Sequence, residues 1–241
     1  MQCATVVQIL LRRKTMRPKY SLLFHEVQQP IIDPVTKFGG QPTWIAPPQW
    51  PLSRTTGKPM RFICQIALDS HLFGEIPARM AYLFMTDEET FVDKTFDPDG
   101  GENAIIIQPG IGDIPTQPQL TGPTLYKMVS DLSGKRRVPL SCELAVEKIL
   151  GEDPEVIVEN EHADASDEAW TQFTALWSEI KIGGTPVFLQ YPEYPGEGNW
   201  QLLLQLDSAS VPFSVNFGDA GVGYAFLSED GTSGKFLWQC L

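Results

Sequence analysis

One punctuated string occurs twice in this chain of 241 residues. It reads KFGGQPTW at residues 37–44 and KIGGTPVF at residues 181–188. Further blocks come after both copies in the same order, which indicates an internal duplication and not a chance match. They are MRFICQIALD, MAYLFMTDE and AIIIQPG after the first copy, and NWQLLLQLD, VGYAFLSED and KFLWQCL after the second. The chain is therefore expected to contain two related halves, at about 37–110 and 181–241.

Each block has the pattern of a β-strand. In MRFICQIALD the residues Met60, Phe62, Cys64, Ile66 and Leu68 alternate with their neighbours, and this period of two is typical of strands. Turn-rich segments such as DPDGGEN and SEDGTSGK separate the blocks. We expect an α+β fold that is mainly β, in which two pseudo-twofold halves form one globule with a few helices between and around the sheets.

The glycine pair of the repeat predicts a turn that starts a strand. Glycine adopts positive φ without the steric cost that a side chain brings, and proline favours an extended conformation in the residue before it. A phosphate-binding loop is the functional alternative, but no helix start and no Lys-Ser/Thr pair come after the glycines. The residues of the motif are Gly39, Gly40 and Pro42, with Gly183, Gly184 and Pro186.

Helical patterns lie between the halves. In SDEAWTQFTALWSEI, at 166–180, Trp170, Phe173, Trp177 and Ile180 recur at steps of three and four, which predicts an amphipathic helix. SCELAVEKIL, at 141–150, is a weaker helix candidate. We therefore expect residues 16–241 to form a single domain, with an acidic and partly helical connector at 130–180. Residues 1–15 are expected to be a disordered N-terminal extension.

The charge of the chain limits its partners. Eighteen Lys and Arg face thirty Asp and Glu, which gives a formal net charge of -12. Such a field repels a phosphate backbone and attracts a basic protein. We therefore expect a basic protein client and no direct nucleic acid binding. Between Glu143 and Glu168 the carboxylates face only Lys148, and this segment is either a solvated connector or a docking surface.

The cysteines and the N-terminus indicate the compartment. No two cysteines have the C-x-x-C spacing of a zinc clip or a redox pair, so no metal and no cofactor is expected. The apolar stretch 4–11 is short and precedes the basic residues at 12–14, which is the wrong order for a secretory signal. We expect a cytoplasmic protein without a membrane partner. The cysteines are Cys3, Cys64, Cys142 and Cys240.

Candidates for catalysis are few. His25, His71 and His162 stand in no metal-binding or triad spacing. Asp69 and Asp207 each end a repeated strand, and they could share a proton as in duplicated hydrolases. An Asx turn is the ordinary role of an Asp at that place. Catalysis is the less favoured interpretation, and a binding protein without enzymatic activity the more favoured one.

Polar and aromatic residues also recur between the halves. Gln65, Gln108, Gln205 and Gln239 lie within apolar strands, where buried amides need partners. We expect them to bond the backbone at equivalent turns of each half, and a ligand cleft is the alternative. A proline-rich loop in each half carries aromatic residues that either anchor a protein partner or cover the sheet. These are Trp44, Trp50, Tyr191, Tyr194 and Trp200.

Three features of the chain match a known family: the doubled K-(F/I)-G-G-x-P block, the doubled strand from glutamine to aspartate, and the closing GVGYAFLSEDGTSGKFLWQC. In these features the chain resembles the YwqG-like family, a bacterial domain of unknown function. The resemblance covers about residues 20–241 and implies an α+β fold of two similar β-rich halves. What it carries over is structural placement, with no established catalytic role. The matching positions are Gly39, Gly40, Pro42, Gln65, Tyr82 and Gln108, with Gly183, Gly184, Pro186, Gln205, Tyr224 and Gln239.

The resemblance also implies a function. The YwqG-like family is thought to be similar to the eukaryotic programmed-cell-death-two proteins, which act as dedicated chaperones for a basic protein of the small ribosomal subunit. The zinc finger of those relatives has no counterpart among the cysteines and histidines of this chain. We therefore expect a non-enzymatic chaperone or adaptor for a basic client. An immunity protein that binds a toxin, and a hydrolase or RNA-processing enzyme with a site between the halves, are the alternatives.

Overall fold

The computed structural model describes residues 16–88, 92–110, 114–154 and 175–241. Strands make up most of their regular structure. The elements of the first half are β1 (Met16–Glu26), β2 (Lys37–Gly39), β3 (Trp50–Pro51), β4 (Arg61–Ala67), α1 (Ser70–Phe73), β5 (Met80–Met85), β6 (Asn103–Gln108) and β7 (Thr116–Gln117). Those of the remaining chain are β8 (Tyr126–Ser130), β9 (Arg137–Ser141), β10 (Glu143–Pro154), β11 (Lys181–Gly183), β12 (Trp200–Asp207), β13 (Val222–Ser228) and β14 (Gly234–Gln239).

The expectation of an α+β fold with several helices is wrong. Ten strands close into a barrel in the order β1-β10-β2-β4-β5-β6-β14-β13-β12-β11, and the described helical residues are α1 and a short piece at 175–177. Closing the sheet pairs strands that would otherwise form exposed edges. Among the described residues, neither helix has the length or the apolar character to cross a bilayer.

The repeated blocks are the walls of this barrel. Strands β2, β4, β5 and β6 form one wall, and β11 to β14 form the other, so the predicted strands are confirmed. The two walls meet where Ile105 of β6 lies opposite Gly234 of β14. Both walls have a register shift at the same place, between Phe62 and Cys64 in β4 and between Leu202 and Leu204 in β12. The duplication therefore extends to the irregularities of the sheet.

The first strand of each half is exchanged. Strand β1 precedes the first wall in sequence but pairs with β11 of the second, and β10 precedes the second wall but pairs with β2 of the first. The two exchanged strands pair with each other in antiparallel register along the whole of β1, from Met16 opposite Pro154 to Glu26 opposite Leu144. Neither wall can therefore close the barrel without the other.

The helix predicted at 141–150 is wrong. Glu143–Pro154 is strand β10, where Leu144 is buried in the core and Glu147 on the other face is exposed. The long pairing with β1 outweighs the helix propensity of the local sequence, because tertiary context overrides such weak preferences. Of the helix predicted at 166–180, residues 175–177 are helical and Trp177 is buried, whereas Trp170 and Phe173 lie outside the described residues.

The alternation along each strand divides the apolar residues between separate cores. Ala81, Leu83 and Met85 of β5 face the barrel interior, whereas Tyr82 and Phe84 pack on the outside. The same division occurs in the second half. Each outer core lies beneath the segment that comes after the glycine turn. We name these segments the first loop (residues 41–60) and the second loop (residues 185–199).

Candidate functional site

The glycine pairs form turns with positive φ, as the repeat predicts. The φ values are 68° and 65° at Gly39 and Gly40, and 73° and 74° at Gly183 and Gly184. A side chain at Gly40 would overlap the carboxylate of Glu143, and one at Gly184 would overlap a carboxylate in the equivalent place. The second glycine of each pair therefore leaves room for an acidic side chain from the exchanged strand β10.

That acidic side chain pairs with the lysine of the repeat. In the first half, Lys37 Nζ donates to Glu143 Oε1 at 2.7 Å and to the carbonyl of Ile31 at 2.7 Å. In the second half, Lys181 Nζ donates to Asp153 Oδ2 at 2.6 Å. Both lysine side chains are 1% exposed. The sequence places these lysines in the motif but gives no sign of their buried partners.

The second ion pair belongs to a larger cluster. Lys19 Nζ lies 2.7 Å from Asp153 Oδ1 and 2.6 Å from Glu179 Oε2. Burial favours the protonated form of Asp153, but the charge of Lys181 and the lysine hydrogen bonds outweigh it and hold the pKa of Asp153 below its ordinary value. Burial also lowers the pKa of Lys181. Both oxygens of the Asp153 carboxylate pair with neighbouring cations. The cluster therefore links the exchanged strands β1 and β10 and offers no free acid or base.

The glutamines and the tyrosine of the repeat hold the loops by their backbones. In the first half, Gln65 accepts from the Thr43 N–H at 2.8 Å, and the Tyr82 hydroxyl donates to the Thr43 carbonyl at 2.8 Å. Gln108 accepts from the Ala46 N–H at 3.1 Å. Burial raises the pKa of Tyr82 to about 12, so this hydroxyl remains a donor at neutral pH.

The second half repeats these bonds. Gln205 accepts from the Val187 N–H at 2.9 Å, and the Tyr224 hydroxyl donates to the Val187 carbonyl at 2.9 Å. Gln239 accepts from the Gln190 N–H at 3.0 Å. The prediction that these amides bond the backbone at equivalent turns is therefore confirmed. We call the three side chains of each half its Gln–Tyr–Gln set.

The two candidate aspartates cap local turns. Asp69 caps α1, where it accepts from the His71 N–H at 2.9 Å and from the Tyr20 hydroxyl at 3.0 Å. The backbone bond from His71 lowers the pKa of Asp69, despite opposing desolvation. Asp207 is buried and accepts from the Ala209 N–H at 2.9 Å. Because Gln65 and Gln205 occupy equivalent register positions, Asp207 corresponds to residue 67, and the two aspartates are not a symmetric pair.

The histidines form no site with these aspartates. His25 is exposed on β1 and lies 3.2 Å from Glu147 Oε2, and His71 is exposed on α1. His162 and Cys3 lie outside the described residues. Within the described ranges, no group of three or more His, Cys, Asp or Glu side chains could hold a metal ion.

The aromatic residues of the first loop cover the sheet. Trp50 is completely buried and donates from Nε1 to the Met60 carbonyl at 2.7 Å. Trp44 is half-buried, with its ring centroid 4.6 Å from that of Tyr82 and 6.1 Å from that of Phe84. The interpretation of Trp50 as an exposed binding anchor is therefore wrong, because its ring is part of the outer core.

The second loop exposes its aromatic residues. Tyr191 is 60% exposed and Tyr194 is 51% exposed. The Tyr194 ring packs edge-on against Phe188, with centroids 5.4 Å apart, and also lies 5.6 Å from the Phe226 ring. One part of the tyrosine is thus fixed by the outer core while the rest faces solvent. Trp200, at the end of this loop, is half-buried.

A cleft of about 610 Å³ lies beside Tyr194. Its walls come from the start of β1, from α1, from the second glycine turn and from the end of the second loop. Its charged lining residues are Arg17 and the exposed Glu229, which accepts from Asn199 Nδ2 at 2.9 Å. The exposed Glu197 comes directly before the lining residue Gly198, and its backbone carbonyl accepts from Trp200 Nε1 at 3.2 Å. Glu197 and Glu229 could not be identified from the sequence, since no motif distinguishes them from other surface acids.

Comparison with known proteins gives a family but no activity. A family model described as Domain of unknown function (DUF1963) matches residues 36–235. No curated protein matches this chain. The matched range includes both glycine turns and both loops.

Proposed function

The chain belongs to the DUF1963 family, a domain of unknown function, and from this premise we propose that it is a non-enzymatic binding module for a basic protein client. The proposal includes the finer YwqG-like assignment, a bacterial and cytoplasmic setting, and a chaperone or adaptor role. One observation carries it, namely the exposed aromatic and acidic surface at the second loop. We call this surface, formed by Tyr194, Glu197 and Glu229 at the end of the second loop, the acidic aromatic patch.

The chemistry of the patch suits a lysine or arginine side chain. A cation over the face of a tyrosine gains about 0.5–2 kcal/mol, depending on its desolvation. Tyr194 is held against Phe188 and Phe226, so little conformational entropy is lost when a partner covers it. Glu229 is exposed on the cleft that Tyr194 also lines, and it can pair with the same cation.

The charge of the whole chain supports the same partner. With a formal net charge of -12, the protein attracts a basic client over a distance of about one Debye length, roughly 8 Å at physiological ionic strength. Complementary fields raise encounter rates and discriminate against wrong partners more than they raise affinity. We therefore expect a client whose association rate falls with added salt.

Among the described residues, no feature favours the enzyme alternative over the binding module. Asp69 and Asp207 are used as turn acceptors, and the buried cluster around Asp153 has no uncommitted carboxylate. The immunity alternative needs the same patch, with a toxin as the client. It is therefore a variant of this proposal, and the identity of the client distinguishes it from the chaperone role.

The test is affinity purification of the tagged protein from its own host, washed at low and at moderate salt, with bound proteins identified by mass spectrometry. We expect one stoichiometric basic protein. Its affinity, measured by calorimetry with purified client, should fall at least tenfold in the variant E197K/E229K and in Y194A. The matched control is D33K/D93K, which makes the same charge change at exposed carboxylates of the first half.

Two results would contradict the proposal. If E197K/E229K and D33K/D93K weaken binding equally, the acidic aromatic patch is not the binding site and only the overall charge matters. If no basic protein is captured at either salt concentration, the protein is not a module for such a client. A captured toxin enzyme would select the immunity variant over the ribosomal chaperone.

A further inference from the structure

The hairpin formed by β8 and β9 stands outside the barrel. Its two strands pair with each other, from Tyr126 opposite Ser141 to Ser130 opposite Arg137. Its base is attached to the rest of the fold, where Tyr126 bridges Ser214 and Lys127 pairs with Glu26. All residues from 132 to 141 are exposed. The end of the hairpin therefore projects into solvent.

The charge of this hairpin is opposite to that of the chain. Residues 126–141 contain four basic side chains and a single acidic one, whereas the whole chain carries -12. Lys127 is already paired with Glu26 at the base. The remaining basic residues, Lys135, Arg136 and Arg137, are consecutive and exposed next to the tip.

The tip is a preformed turn that directs its one carboxylate inward. Asp131 Oδ1 accepts from the Ser133 N–H at 3.0 Å, from the Ser133 hydroxyl at 2.7 Å and from the Lys135 N–H at 3.2 Å. Gly134 adopts a φ of 69°, which completes the turn. Leu132 is fully exposed at its outermost point. The turn therefore presents an apolar side chain beside three cations.

We propose that the β8–β9 hairpin docks the protein on an anionic lipid surface, with Leu132 entering the interface and Lys135, Arg136 and Arg137 contacting the headgroups. Basic residues near an anionic membrane surface each strengthen binding about fivefold, and a buried aliphatic side chain adds to this. The two kinds of side chain act on the same surface, since both lie at the end of the hairpin. This role goes beyond client binding and uses residues outside the acidic aromatic patch.

The combination of residues favours lipid over other polyanions. Nucleic acid gains affinity from cations but nothing from a fully exposed leucine, and an acidic protein would need a concave site for this convex tip. Val138 and Leu140 on β9 are also exposed, which extends the apolar surface behind the tip. A lipid interface accepts basic and apolar side chains together.

The length of the hairpin separates the acidic barrel from the lipid. Five residues per strand span roughly 17 Å, and the Debye length is roughly 8 Å at physiological ionic strength. A carboxylate at the base of the hairpin, such as Glu26, is thus largely screened from the anionic surface while the tip touches it. The sequence expectation of no membrane partner rested on the lack of a spanning segment or signal, and a surface contact of this kind requires neither.

The experiment is co-sedimentation of the full chain with vesicles of phosphatidylcholine alone and of phosphatidylcholine with 30% phosphatidylglycerol, each at about 0.1 M and 0.5 M salt. We expect binding to the anionic vesicles at low salt, and weak or no binding to the neutral ones. The variant K135E/R136E/R137E should lose at least a hundredfold in partition coefficient, and L132D about tenfold. The matched control K58E/R79E/K94E changes the charge equally at exposed residues elsewhere and should keep most of the binding.

Three results would overturn the proposal. No binding to anionic vesicles would exclude the lipid surface as partner. Equal loss in the hairpin and control variants would show that net charge, and not the hairpin, is responsible. If an oligonucleotide or polyglutamate binds more tightly than the vesicles and L132D binds it as well as the unaltered chain, the hairpin is a site for another polyanion. Thermal melting of each variant distinguishes these results from loss of the fold.

Discussion

The two loops are held by the same hydrogen bonds and present different surfaces. Each Gln–Tyr–Gln set binds the backbone of its loop at equivalent positions. The first loop turns its aromatic residues inward, so that Trp50 is completely buried, and its charged residues include Arg54 and Lys58. The second loop leaves Tyr191 and Tyr194 exposed among carboxylates.

The difference arises in the later part of each loop, beyond the shared hydrogen bonds. The first loop is longer and contains β3, which pairs with β7 through Trp50 opposite Gln117 and so covers the outer core. In the second loop, Tyr194 takes up a position over Phe188 and Phe226 with half its surface in solvent. A duplicated scaffold thus provides one loop that buries Trp50 in the outer core and one loop that exposes its tyrosines, which is why we place the function in the second half.

The largest expected difference between the halves concerns their buried ion pairs. Asp153→Ala removes the closest carboxylate of the fully buried Lys181 and leaves Glu179 at 3.9 Å as its remaining ion-pair partner, while Lys19 keeps only Glu179. This should cost about 3–5 kcal/mol of the free energy of unfolding. Glu143→Ala leaves Lys37 bonded to the Ile31 carbonyl and should cost only about 2 kcal/mol. Chemical denaturation measures both values.

Asp153→Asn is the control for this comparison, because it keeps the shape of the side chain and an acceptor for the Thr185 N–H while it removes the charge. Its cost should lie between the two alanine variants. Equal losses for Asp153→Ala and Glu143→Ala would mean that the cluster around Asp153 adds no stability beyond a single pair.

A smaller difference is expected at the first glycine of each turn. Both Gly39 and Gly183 have positive φ, which costs an alanine about 1–2 kcal/mol. A Cβ at Gly39 would also overlap the Cys142 carbonyl, whereas one at Gly183 would lie 3.0 Å from the Pro18 carbonyl. We expect Gly39→Ala to cost about 3 kcal/mol and Gly183→Ala about half of that.

Gly57→Ala isolates the backbone contribution in this comparison. Gly57 has a φ of 67° and no neighbouring atom within 4 Å of a Cβ position. Its cost, measured in the same denaturation experiment, should match that of Gly183→Ala. If Gly39→Ala costs no more than this control, the close packing of β10 on the turn is not a source of stability.

The walls of the barrel could be predicted from the sequence, because their signals are local. A continuous apolar run such as MAYLFM requires two buried faces, and β5 is indeed buried on both. The glycine turn and the backbone bonds of Gln65 and Gln205 could be inferred from repeated residues whose chemistry allows few other roles. The asymmetry of the loops could not be predicted from the sequence, since burial of Trp50 depends on the pairing of β3 with the distant β7.

The exchanged strands were not predictable for the same reason. SCELAVEKIL contains good helix formers, and only the pairing of β10 with β1, more than a hundred residues away, makes it a strand. The helix expectation also prevented recognition of the closed barrel, because β10 supplies one of its ten strands. The acidic aromatic patch combines the second loop with Glu229, and no motif in the sequence links them.

The smallest effects on stability are expected for the tyrosine variants Tyr224→Phe and Tyr82→Phe, which should differ most clearly in client binding. Tyr224→Phe removes the partner of the Val187 carbonyl and of the Leu189 N–H, both in buried residues, and should cost about 1–2 kcal/mol. Tyr82→Phe should cost less, about 0.5–1 kcal/mol, because Thr43 and Ile45 can turn to water.

Only the first of these two variants should weaken client binding. Tyr224 holds the second loop, which presents the acidic aromatic patch, whereas Tyr82 holds the first loop, which buries Trp50. We expect the client affinity, measured by calorimetry, to fall about threefold to tenfold in Tyr224→Phe and to remain unchanged in Tyr82→Phe. The two substitutions remove the same atom from equivalent positions, so each serves as the control for the other. If both substitutions weaken binding equally, the client contacts both halves. The different surfaces of the two loops would then not correspond to different functions.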